Sequence, residues 1–376
     1  MTLIYDRPIS GPKTHVLILG IGRFPHMASA NLGACVDSAK AMLDFVYAKR
    51  DQFLSPLATI ECLISDPSVD AGQDQVAKTD VQFDPRTDQG VAAGTASNVT
   101  AACRAWMSRC QPGDSLIFYA CTHGVADRTE RGLLVLEDYP SSRFNPGEQL
   151  LDVASLARNV APFTSAASVW MFIDACQETR PELLQLKEDV KAVEPVVVNV
   201  MQSVKCKVDT LALISSRFGN FARTKKSGVA FFTQSIIEGM SNNLVEQKAG
   251  KWWVTGKLIQ HGLQLTALAK FGYNLEPSGL TSFMQDKRLL SIDEPVVPLL
   301  ITSRPETFLA NSTAAHIRED AAPNSILISK PPGTPEWRCH LPLVRQMLRV
   351  HLLNVTAEHN EPFYCEAPGI VLELRG

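Results

Sequence analysis

The sequence predicts an α/β fold in which helices cover both faces of a mostly parallel sheet. Short, nearly continuous apolar runs of strand length recur along the chain, and segments with apolar residues at helical spacing separate them. Strands that are buried on both faces give such runs, because a parallel sheet lies between layers of helices. The chain also has the size and composition for this class, with 376 residues, 45% hydrophobic residues and a mean hydropathy near zero.

The first elements form a βαβ unit. Residues 15–20 (HVLILG) are mostly apolar and end at a glycine, which is typical of a central strand. Residues 31–49 carry apolar side chains at helical spacing, and residues 58–64 form the next apolar run. A strand, a helix and a second strand in this order favour parallel pairing of the two strands.

The rest of the first 302 residues repeats this alternation. Apolar runs predict further strands, at residues 115–121, 168–173, 210–215 and 294–302. Apolar residues at helical spacing predict helices, at residues 98–109, 150–160, 229–240 and, after a strand-like start, 252–268. Ser97 or Asn98 is the predicted N-cap of the helix that runs to residue 109.

The composition of the sequence changes after residue 302. Prolines become frequent there and interrupt short apolar runs such as residues 325–329 and 370–374. The sequence therefore predicts two domains. Residues 1–302 form the α/β domain, and residues 303–376 form a small β-rich C-terminal domain of unknown role.

Composition excludes several classes of function. The net charge of -3, from 36 basic and 39 acidic residues, gives no electrostatic reason to expect nucleic acid or an anionic membrane as a partner. The sequence has no signal-peptide core and no apolar run of about 18 residues, so a cytoplasmic location is predicted. The nine cysteines are scattered without a C-x-x-C pair, which favours a reducing compartment. The eight histidines are dispersed, so no metal site is predicted.

Two reactive side chains follow two of the predicted strands. His123 comes directly after the run at residues 115–121, and Cys176 follows the run at residues 168–173 by a few residues. The carboxyl ends of parallel strands share one edge of a sheet, where ligands bind, so both side chains are expected in one cleft. A thiol is a nucleophile only as thiolate, and an imidazole can take its proton and return it to a leaving amine. The pattern predicts a cysteine hydrolase; the alternative is that Cys176 is an inert core thiol.

These motifs resemble a known family. Residues 113–124 (GDSLIFYACTHG) resemble the strand and His-Gly motif of the caspase-like peptidases, which comprise caspases, metacaspases and paracaspases, and residues 173–176 (IDAC) resemble their nucleophile motif. Further similar segments lie at residues 32–39, 213–216 and 228–239. The 53 residues between His123 and Cys176 also match the interval of about 50 residues in caspases.

The resemblance covers residues 13–270, or as far as 302. It implies a caspase-hemoglobinase fold, with about six strands in the central sheet. It also implies an endopeptidase that acts through His123 and Cys176. The backbone N–H groups of Gly124 and Cys176 would stabilise the oxyanion.

The resemblance further implies residues for substrate recognition. Asp174 would receive a substrate Arg or Lys side chain in the S1 pocket, as in metacaspases and paracaspases, with Cys121 as a pocket wall. The alternative is that Asp174 only orients backbone at the end of its strand. Asp37 stands one residue before the position at which metacaspases carry a second S1 carboxylate, here Ser38. On a helix this turns the Asp37 side chain by about 100°, so it reaches the pocket only if the loop shifts.

Residues 178–208 lie where caspase-like proteins carry an activation or autocleavage loop. Their basic residues suit cleavage by a protease of basic specificity, which implies a zymogen; the alternative is a plain solvated loop. The expected function is a regulated effector protease of cell death or defence. Its partners would be a protein substrate with a basic P1 residue and a regulatory activator.

Two points stay open in this reading of the sequence. No cofactor is expected, but calcium dependence is open because some metacaspases need calcium. Two other functions are also compatible with the same fold. One is a catalytically silent scaffold or binding protein, and the other is a CHAT-type or separase-like protease with extended substrate recognition.

Overall fold

The computed structural model describes most of the chain. The described residues are 2–69, 91–126, 132–141, 146–175, 178–179, 192–193, 195, 209–216, 228–282, 286–304, 306–312, 314–319, 322–331, 333–343, 347–353, 358–364 and 367–375. They form two compact units. One unit is Met1–Gln234 with Glu276–Leu289, and the other is Ser235–Leu275 with Leu290–Gly376.

Strands and helices alternate through the first unit, whereas strands predominate in the second. The strands are β1 (Leu3–Asp6), β2 (Thr14–Ile21), β3 (Leu57–Ser65), β4 (Ser115–Cys121), β5 (Gly124–Ala126), β6 (Gly132–Val135), β7 (Leu150–Asp152), β8 (Ser168–Asp174), β9 (Glu178–Thr179), β10 (Asp209–Ile214), β11 (Val245–Lys248), β12 (Lys251–Thr255), β13 (Ser278–Ser282), β14 (Arg288–Ile292), β15 (Val296–Arg304), β16 (Ala314–Glu319), β17 (Ala322–Ser329), β18 (Trp337–Pro342), β19 (Met347–Leu353), β20 (Glu358–Tyr364) and β21 (Ile370–Arg375). The α-helices are α1 (Gly33–Ala48), α2 (Ala96–Ser108), α3 (Val153–Phe163), α4 (Phe231–Glu238), α5 (Gly256–Phe271) and α6 (Glu306–Ala310).

A seven-stranded sheet forms the centre of the first unit, in the order β1-β3-β2-β4-β8-β10-β13. The five inner strands are parallel, and the edge strands β1 and β13 pair antiparallel with β3 and β10. Every residue of β2, β3 and β8 is buried, which explains their nearly continuous apolar sequences. The predicted α/β class with a mostly parallel central sheet is confirmed.

Helix α1 and the loop before it approach β2 closely through two glycines. A Cβ atom at Gly20 would lie 2.4 Å from the Ala39 Cβ, and one at Gly22 would lie 2.5 Å from the Leu32 carbonyl oxygen. Glycine, which has no Cβ, avoids both clashes. The loop at residues 22–32 therefore stays next to the carboxyl end of β2.

A smaller sheet continues from the ends of β4 and β8, in the order β7-β6-β5-β9. Its strand β5 begins at Gly124, immediately after His123. β5 pairs antiparallel with β6 and parallel with β9, which begins two residues after Cys176. The sheet thereby connects the segments that follow the two candidate catalytic residues.

The second unit is mostly β-structure around its own core. Its sheets have the orders β11-β12-β14, β18-β15-β21 and β17-β16-β19-β20. Alternate residues of the strands are buried in that core, as Ile317, Leu348 and Val350 show. The strands β16–β21 confirm the predicted β-rich C-terminal region. β15 runs through the expected boundary between residues 302 and 303, and the separate domain at 303–376 stays a prediction.

Several local predictions are corrected by the structure. Residues 150–152 form β7, and Asp152 then caps α3 by accepting a hydrogen bond from the Ser155 N–H at 2.8 Å. Helix α2 begins at Ala96, and its N-cap is Thr95 instead of Ser97 or Asn98. β15 belongs to a sheet of the second unit and not to the central sheet.

The predicted activation loop at residues 178–208 is described only in part. Residues 178–179 form β9, and Val193 makes an isolated bridge with Leu151 of β7. The Val193 N–H donates to the Leu150 carbonyl oxygen at 2.6 Å. The Pro195 carbonyl oxygen accepts a hydrogen bond from Arg104 Nε at 3.0 Å. Apart from Ala192, the rest of the predicted loop lies outside the described residues.

Candidate active site

Strands β4 and β8 bring two of the predicted site residues side by side. The strands are neighbours in the central sheet, and their register pairs Cys121 with Asp174 at the carboxyl ends. The Thr122 N–H donates to the Asp174 carbonyl oxygen at 3.3 Å, so the pairing continues one residue beyond β4. This edge of a parallel sheet is where α/β proteins bind ligands.

His123 is held through its side chain by the loop before α1. Its Nε2 donates to the carbonyl oxygen of Ala30 at 2.7 Å, and 5.1 Å separates the centroids of the imidazole and the Phe24 ring. A carbonyl oxygen only accepts hydrogen bonds, so the neutral imidazole carries its proton on Nε2 and its lone pair on Nδ1. The half-buried ring therefore has its basic nitrogen at Nδ1.

The backbone of His123 is held from another side, by β6. The Val135 N–H donates to the His123 carbonyl oxygen at 2.8 Å, and the Thr122 hydroxyl donates to the Val135 carbonyl oxygen at 2.7 Å. Thr122 and Val135 are buried, so a broken bond here would leave polar groups without water to replace it. His123 is thus fixed both at its ring and at its main chain.

Cys176, the predicted nucleophile, lies outside the described residues, but its neighbours on both sides are described. Ala175 is buried, and its carbonyl oxygen accepts hydrogen bonds from the Ser215 and Ser216 hydroxyls at 3.0 and 3.2 Å. On the other side, β9 pairs in parallel with β5. The chain is therefore held by the end of β10 before Cys176 and by β5 after it.

Asp174, the predicted S1 carboxylate, is buried and hydrogen-bonded. It is 5% exposed, and its Oδ2 accepts hydrogen bonds from the hydroxyl and the N–H of Thr233, at 2.6 and 3.2 Å. The Tyr119 hydroxyl lies 2.6 Å from Thr233 Oγ1 and is the donor there, because Thr233 gives its own proton to the carboxylate. Burial raises the pKa of Asp174, and hydrogen bonds from Thr233 and Ser215 oppose that rise.

Asp37, the second predicted S1 carboxylate, reaches the same segment of chain as Asp174. Its Oδ2 accepts a hydrogen bond from the Gly228 N–H at 2.7 Å, and the adjacent Ser38 hydroxyl oxygen accepts one from the Ala230 N–H at 2.9 Å. The segment at residues 228–233 is therefore bonded to α1 at its start and to Asp174 at its end.

Cys121, the predicted pocket wall, is buried between the sheet and α1. The register pairs it with Gly20 of β2, and a Cβ at Gly20 would lie 3.2 Å from the Cys35 carbonyl oxygen. Hydrogen bonding with Cys35 and burial raise the pKa of the Cys121 thiol well above its ordinary value. Cys121 is therefore neutral and unsuited to act as a nucleophile itself.

Two residues that hydrogen-bond to His123 and Asp174 could not be predicted from the sequence. Ala30 acts through its carbonyl oxygen, a group that every residue has. Thr233 lies in a helix that the apolar pattern predicts, but only the packing of α4 against the end of β8 shows that its hydroxyl meets Asp174. The serines at 215 and 216 belong to a segment similar to the family, although their bonds to Ala175 need the structure.

Metal-ligating side chains do not gather in groups of three or more anywhere in the described ranges. In the same part of the chain, each helix is too short or too polar to span a membrane. The expectations of no cofactor and of a cytoplasmic location stay predictions.

The caspase domain family matches this chain over its α/β part. The family model, a peptidase family described as the caspase domain, aligns with residues 13–250. The aligned residues include strands β2–β10, His123 and Cys176. Because the match spans more than half of the chain, this protein belongs to the caspase domain family of cysteine peptidases.

The individual relatives and solved structures share low sequence identity with this chain. An uncharacterized protein of Sinorhizobium fredii, y4kE, is 24% identical over 217 residues, which are 57% of this chain and 60% of that protein. The chain thus spans less than two thirds of that relative's length. Among solved structures, protein GSU0716 from Geobacter sulfurreducens is 13% identical with a TM-score of 0.45, and the match covers 75% of this chain and 100% of that one. Caspase-1 from Spodoptera frugiperda is 9% identical with a TM-score of 0.40, over 77% and 96% of the two chains. The family assignment rests on the family model.

Proposed function

We propose that this chain is a cysteine endopeptidase in which His123 and Cys176 form the catalytic dyad. His123 takes the thiol proton, the Cys176 thiolate attacks the scissile carbonyl to form an acyl-enzyme, and the imidazolium protonates the leaving amine. Water then attacks the acyl-enzyme while His123 again acts as base, which releases the acid product and the thiol. In this proposal the N–H groups of Gly124 and Cys176 stabilise the oxyanion.

The strand register is the observation that carries the proposal. β4 and β8 pair Cys121 with Asp174, and β5 and β9 pair Val125 with Glu178; both pairs are 53 positions apart in the sequence. His123 and Cys176 have the same separation and fall between these two pairs along the chain. Neighbouring strands lie about 4.8 Å apart, so an unchanged register would bring the imidazole and the thiol together. This supports the dyad.

The contact between His123 and Ala30 supports the role of His123 as base. With the proton on Nε2, Nδ1 is the nitrogen that accepts the thiol proton. The Ala30 carbonyl oxygen also stabilises the imidazolium that forms, because the bond it accepts becomes charge-assisted. A third group that orients the base is a general feature of paired nucleophiles and bases.

We also propose cleavage after Arg or Lys, with Asp174 as the recognition carboxylate and Asp37 acting on the same segment. A buried carboxylate pairs with guanidinium or ammonium through charge-assisted hydrogen bonds. Burial raises the pKa of Asp174, so the carboxyl is more easily protonated than an ordinary Asp. We therefore expect KM for a P1 Arg peptide to rise as the pH falls through that raised pKa, whereas KM for a P1 Ala peptide stays nearly constant. Steady-state kinetics across pH checks this.

The proposed regulation is a zymogen in which residues 178–208 hold an inactive arrangement until they are cut or an activator moves them. Val193 is bonded to Leu150 and Leu151 of β7, β7 pairs with β6, and β6 holds the backbone of His123. Movement of this loop would therefore act on the catalytic base. A cytoplasmic effector in cell death or defence, with or without calcium, is the role that family membership suggests.

Hydrolysis of fluorogenic peptides with Arg, Lys, Asp or Ala at P1 tests the proposed function. The wild-type chain would be compared with Cys176→Ala, His123→Ala and the matched control Cys110→Ser, with and without calcium. We expect cleavage after Arg or Lys that both dyad variants lose and the control keeps. Activity that survives Cys176→Ala would contradict the dyad, and preference for Asp would contradict the role of Asp174. If no peptide is cleaved, protease treatment of the purified chain shows whether removal of the loop releases activity.

A further inference from the structure

Arg23 and Glu137 form a buried ion pair in the first unit. The Arg23 Nε and Nη2 donate to Glu137 Oε1 at 3.0 and 2.6 Å, and the side chains are 7% and 6% exposed. The Ser65 hydroxyl donates to the other carboxylate oxygen at 2.6 Å and accepts the Gly94 N–H at 2.8 Å. Arg23 Nη1 also donates to the Val69 carbonyl oxygen. Both charged groups are therefore bonded on more than one side.

The ion pair joins the two segments that hold His123. Arg23 lies in the loop before α1 and directly precedes Phe24, whose ring contacts the imidazole. Glu137 follows Val135, which holds the His123 carbonyl oxygen, by two residues. The pair closes a ring of contacts that runs from the imidazole through the loop, across the ion pair and back to the main chain of His123.

Hydrogen bonds within the loop connect Arg23 to the residues that contact the imidazole. The Leu32 N–H donates to the Gly22 carbonyl oxygen at 2.8 Å, which closes the loop at its base. The Phe24 N–H donates to Asn31 Oδ1 at 2.8 Å, next to the Ala30 carbonyl that accepts the His123 bond. These bonds connect the segment that carries Arg23 to the segment that carries the Ala30 carbonyl oxygen.

A buried ion pair is a weak source of stability, because desolvation of the two charges offsets most of their attraction and apolar residues of similar size often serve as well. The planar guanidinium does impose a definite orientation on the groups that it joins. We propose that Arg23 and Glu137 are positioning residues that set the distance and orientation of the His123 imidazole. This inference rests on the proposed function of His123 as catalytic base.

Two conservative variants, Glu137→Gln and Arg23→Lys, test the positioning role in the full chain. Glu137→Gln keeps the shape of the side chain but removes its charge, and Arg23→Lys keeps the charge but removes the planar guanidinium. A misplacement of about 1 Å costs roughly 100-fold in rate, so we expect kcat to fall by about 10- to 100-fold with KM changed by less than about twofold. Ser65→Ala removes one bond to Glu137 and should give a smaller loss. It serves as the test if either charge variant fails to fold.

Glu61→Gln is the matched control. It removes the buried carboxylate of another ion pair of the first unit, the one between Glu61 and the partly exposed Arg109. Neither residue belongs to the segments that hold His123. We expect the control to keep kcat within about twofold even if its midpoint of unfolding falls. An equal loss of kcat in the control would overturn the positioning role, because removing any buried carboxylate from an ion pair of this unit would then suffice.

Nitrogen-15 NMR of the His123 ring separates the inference from the proposed function. In the wild-type chain we expect the Nε2-protonated tautomer with a protected Nε2–H. In Glu137→Gln and Arg23→Lys we expect a mixture of tautomers and faster exchange of that proton, and in Glu61→Gln no change. Unchanged ring signals in both test variants would overturn the positioning role whether or not the protein cleaves peptides. A chain that cleaves nothing would count against the proposed function alone.

Discussion

Replacing Thr233 with valine removes one hydroxyl from a buried chain of hydrogen bonds at the candidate S1 pocket. In that chain the Tyr119 hydroxyl donates to Thr233 and the Thr233 hydroxyl donates to Asp174, each over 2.6 Å. Valine has nearly the same shape as threonine, so the packing of α4 is kept while both hydrogen bonds are lost. Thr233 and Tyr119 are fully buried, so water does not replace the missing group.

The expected cost follows from the groups that are left behind. The Tyr119 hydroxyl loses its acceptor, and Asp174 Oδ2 loses its shorter bond to Thr233 and keeps the longer one, from the Thr233 N–H at 3.2 Å. An unsatisfied buried polar group costs about 1 to 3 kcal/mol, so Thr233→Val should lower the free energy of unfolding by about 2 to 4 kcal/mol. The pKa of Asp174 should rise further, because a hydrogen bond that favours its ionised form is gone.

Urea unfolding of a double-mutant cycle with Tyr119→Phe measures this effect. Tyr119→Phe alone should cost about 1 kcal/mol. When Thr233 is already valine, the same change should restore part of the lost stability, since it removes a buried hydroxyl that has no acceptor. The matched control is Thr164→Val, which removes a buried hydroxyl that donates to Val160 at the end of α3. Only Thr233→Val should also move the pH dependence of KM for P1 Arg peptides to higher pH.

Two results would refute this reasoning. One is a loss for Thr233→Val that is no larger than the loss for the Thr164 control. The other is strict additivity in the cycle, which would mean that the Tyr119 and Thr233 hydroxyls do not depend on each other.

Three further predictions concern stability and are checked by urea unfolding of the variants. Burial lowers the pKa of His15, so below about pH 6.5 the unfolded chain binds a proton first and stability falls; His15→Gln should remove that part of the pH dependence. Burial raises the pKa of Asp174, so above about pH 3.9 Asp174 loses its proton in the unfolded chain before it does in the folded chain, and the wild type becomes less stable as the pH rises. Asp174→Asn lacks this effect, so the stability of the variant relative to the wild type should increase through that pH window. Gly20→Ala should cost about 1 to 3 kcal/mol, because its Cβ would lie 2.4 Å from the Ala39 Cβ, and adding Ala39→Gly should restore part of the loss.

The inner strands of the central sheet could be predicted because burial on both faces leaves an unbroken apolar run, as β2 and β8 show. The edge strands β1 and β13 carry no such run, since an edge strand is shorter and in part exposed, and neither is predicted. The predicted start of helix α3, at residue 150, is wrong for a related reason. Leu150 and Leu151 fit a helical apolar face as well as a strand, and only their pairing with β6 decides between the two.

The sequence by itself determined the class of this protein and the residues that we propose for its active site. The apolar runs indicate a buried parallel sheet. The order of residues along the chain places a histidine and a cysteine after two of those runs, and the family resemblance suggests their roles. Asp174 is likewise proposed as the S1 carboxylate from its place two residues before Cys176.

Only the tertiary structure decided what holds these groups. The Ala30 carbonyl on His123, the Thr233 hydroxyl on Asp174 and the pairing of Arg23 with Glu137 join residues that are far apart in the chain. Carbonyl groups, hydroxyl groups and charged side chains occur throughout any sequence, so their hydrogen-bond partners depend on packing and not on a local pattern. The raised pKa of Asp174 also depends on the tertiary structure, because burial raises it and hydrogen bonds from Thr233 and Ser215 oppose the rise.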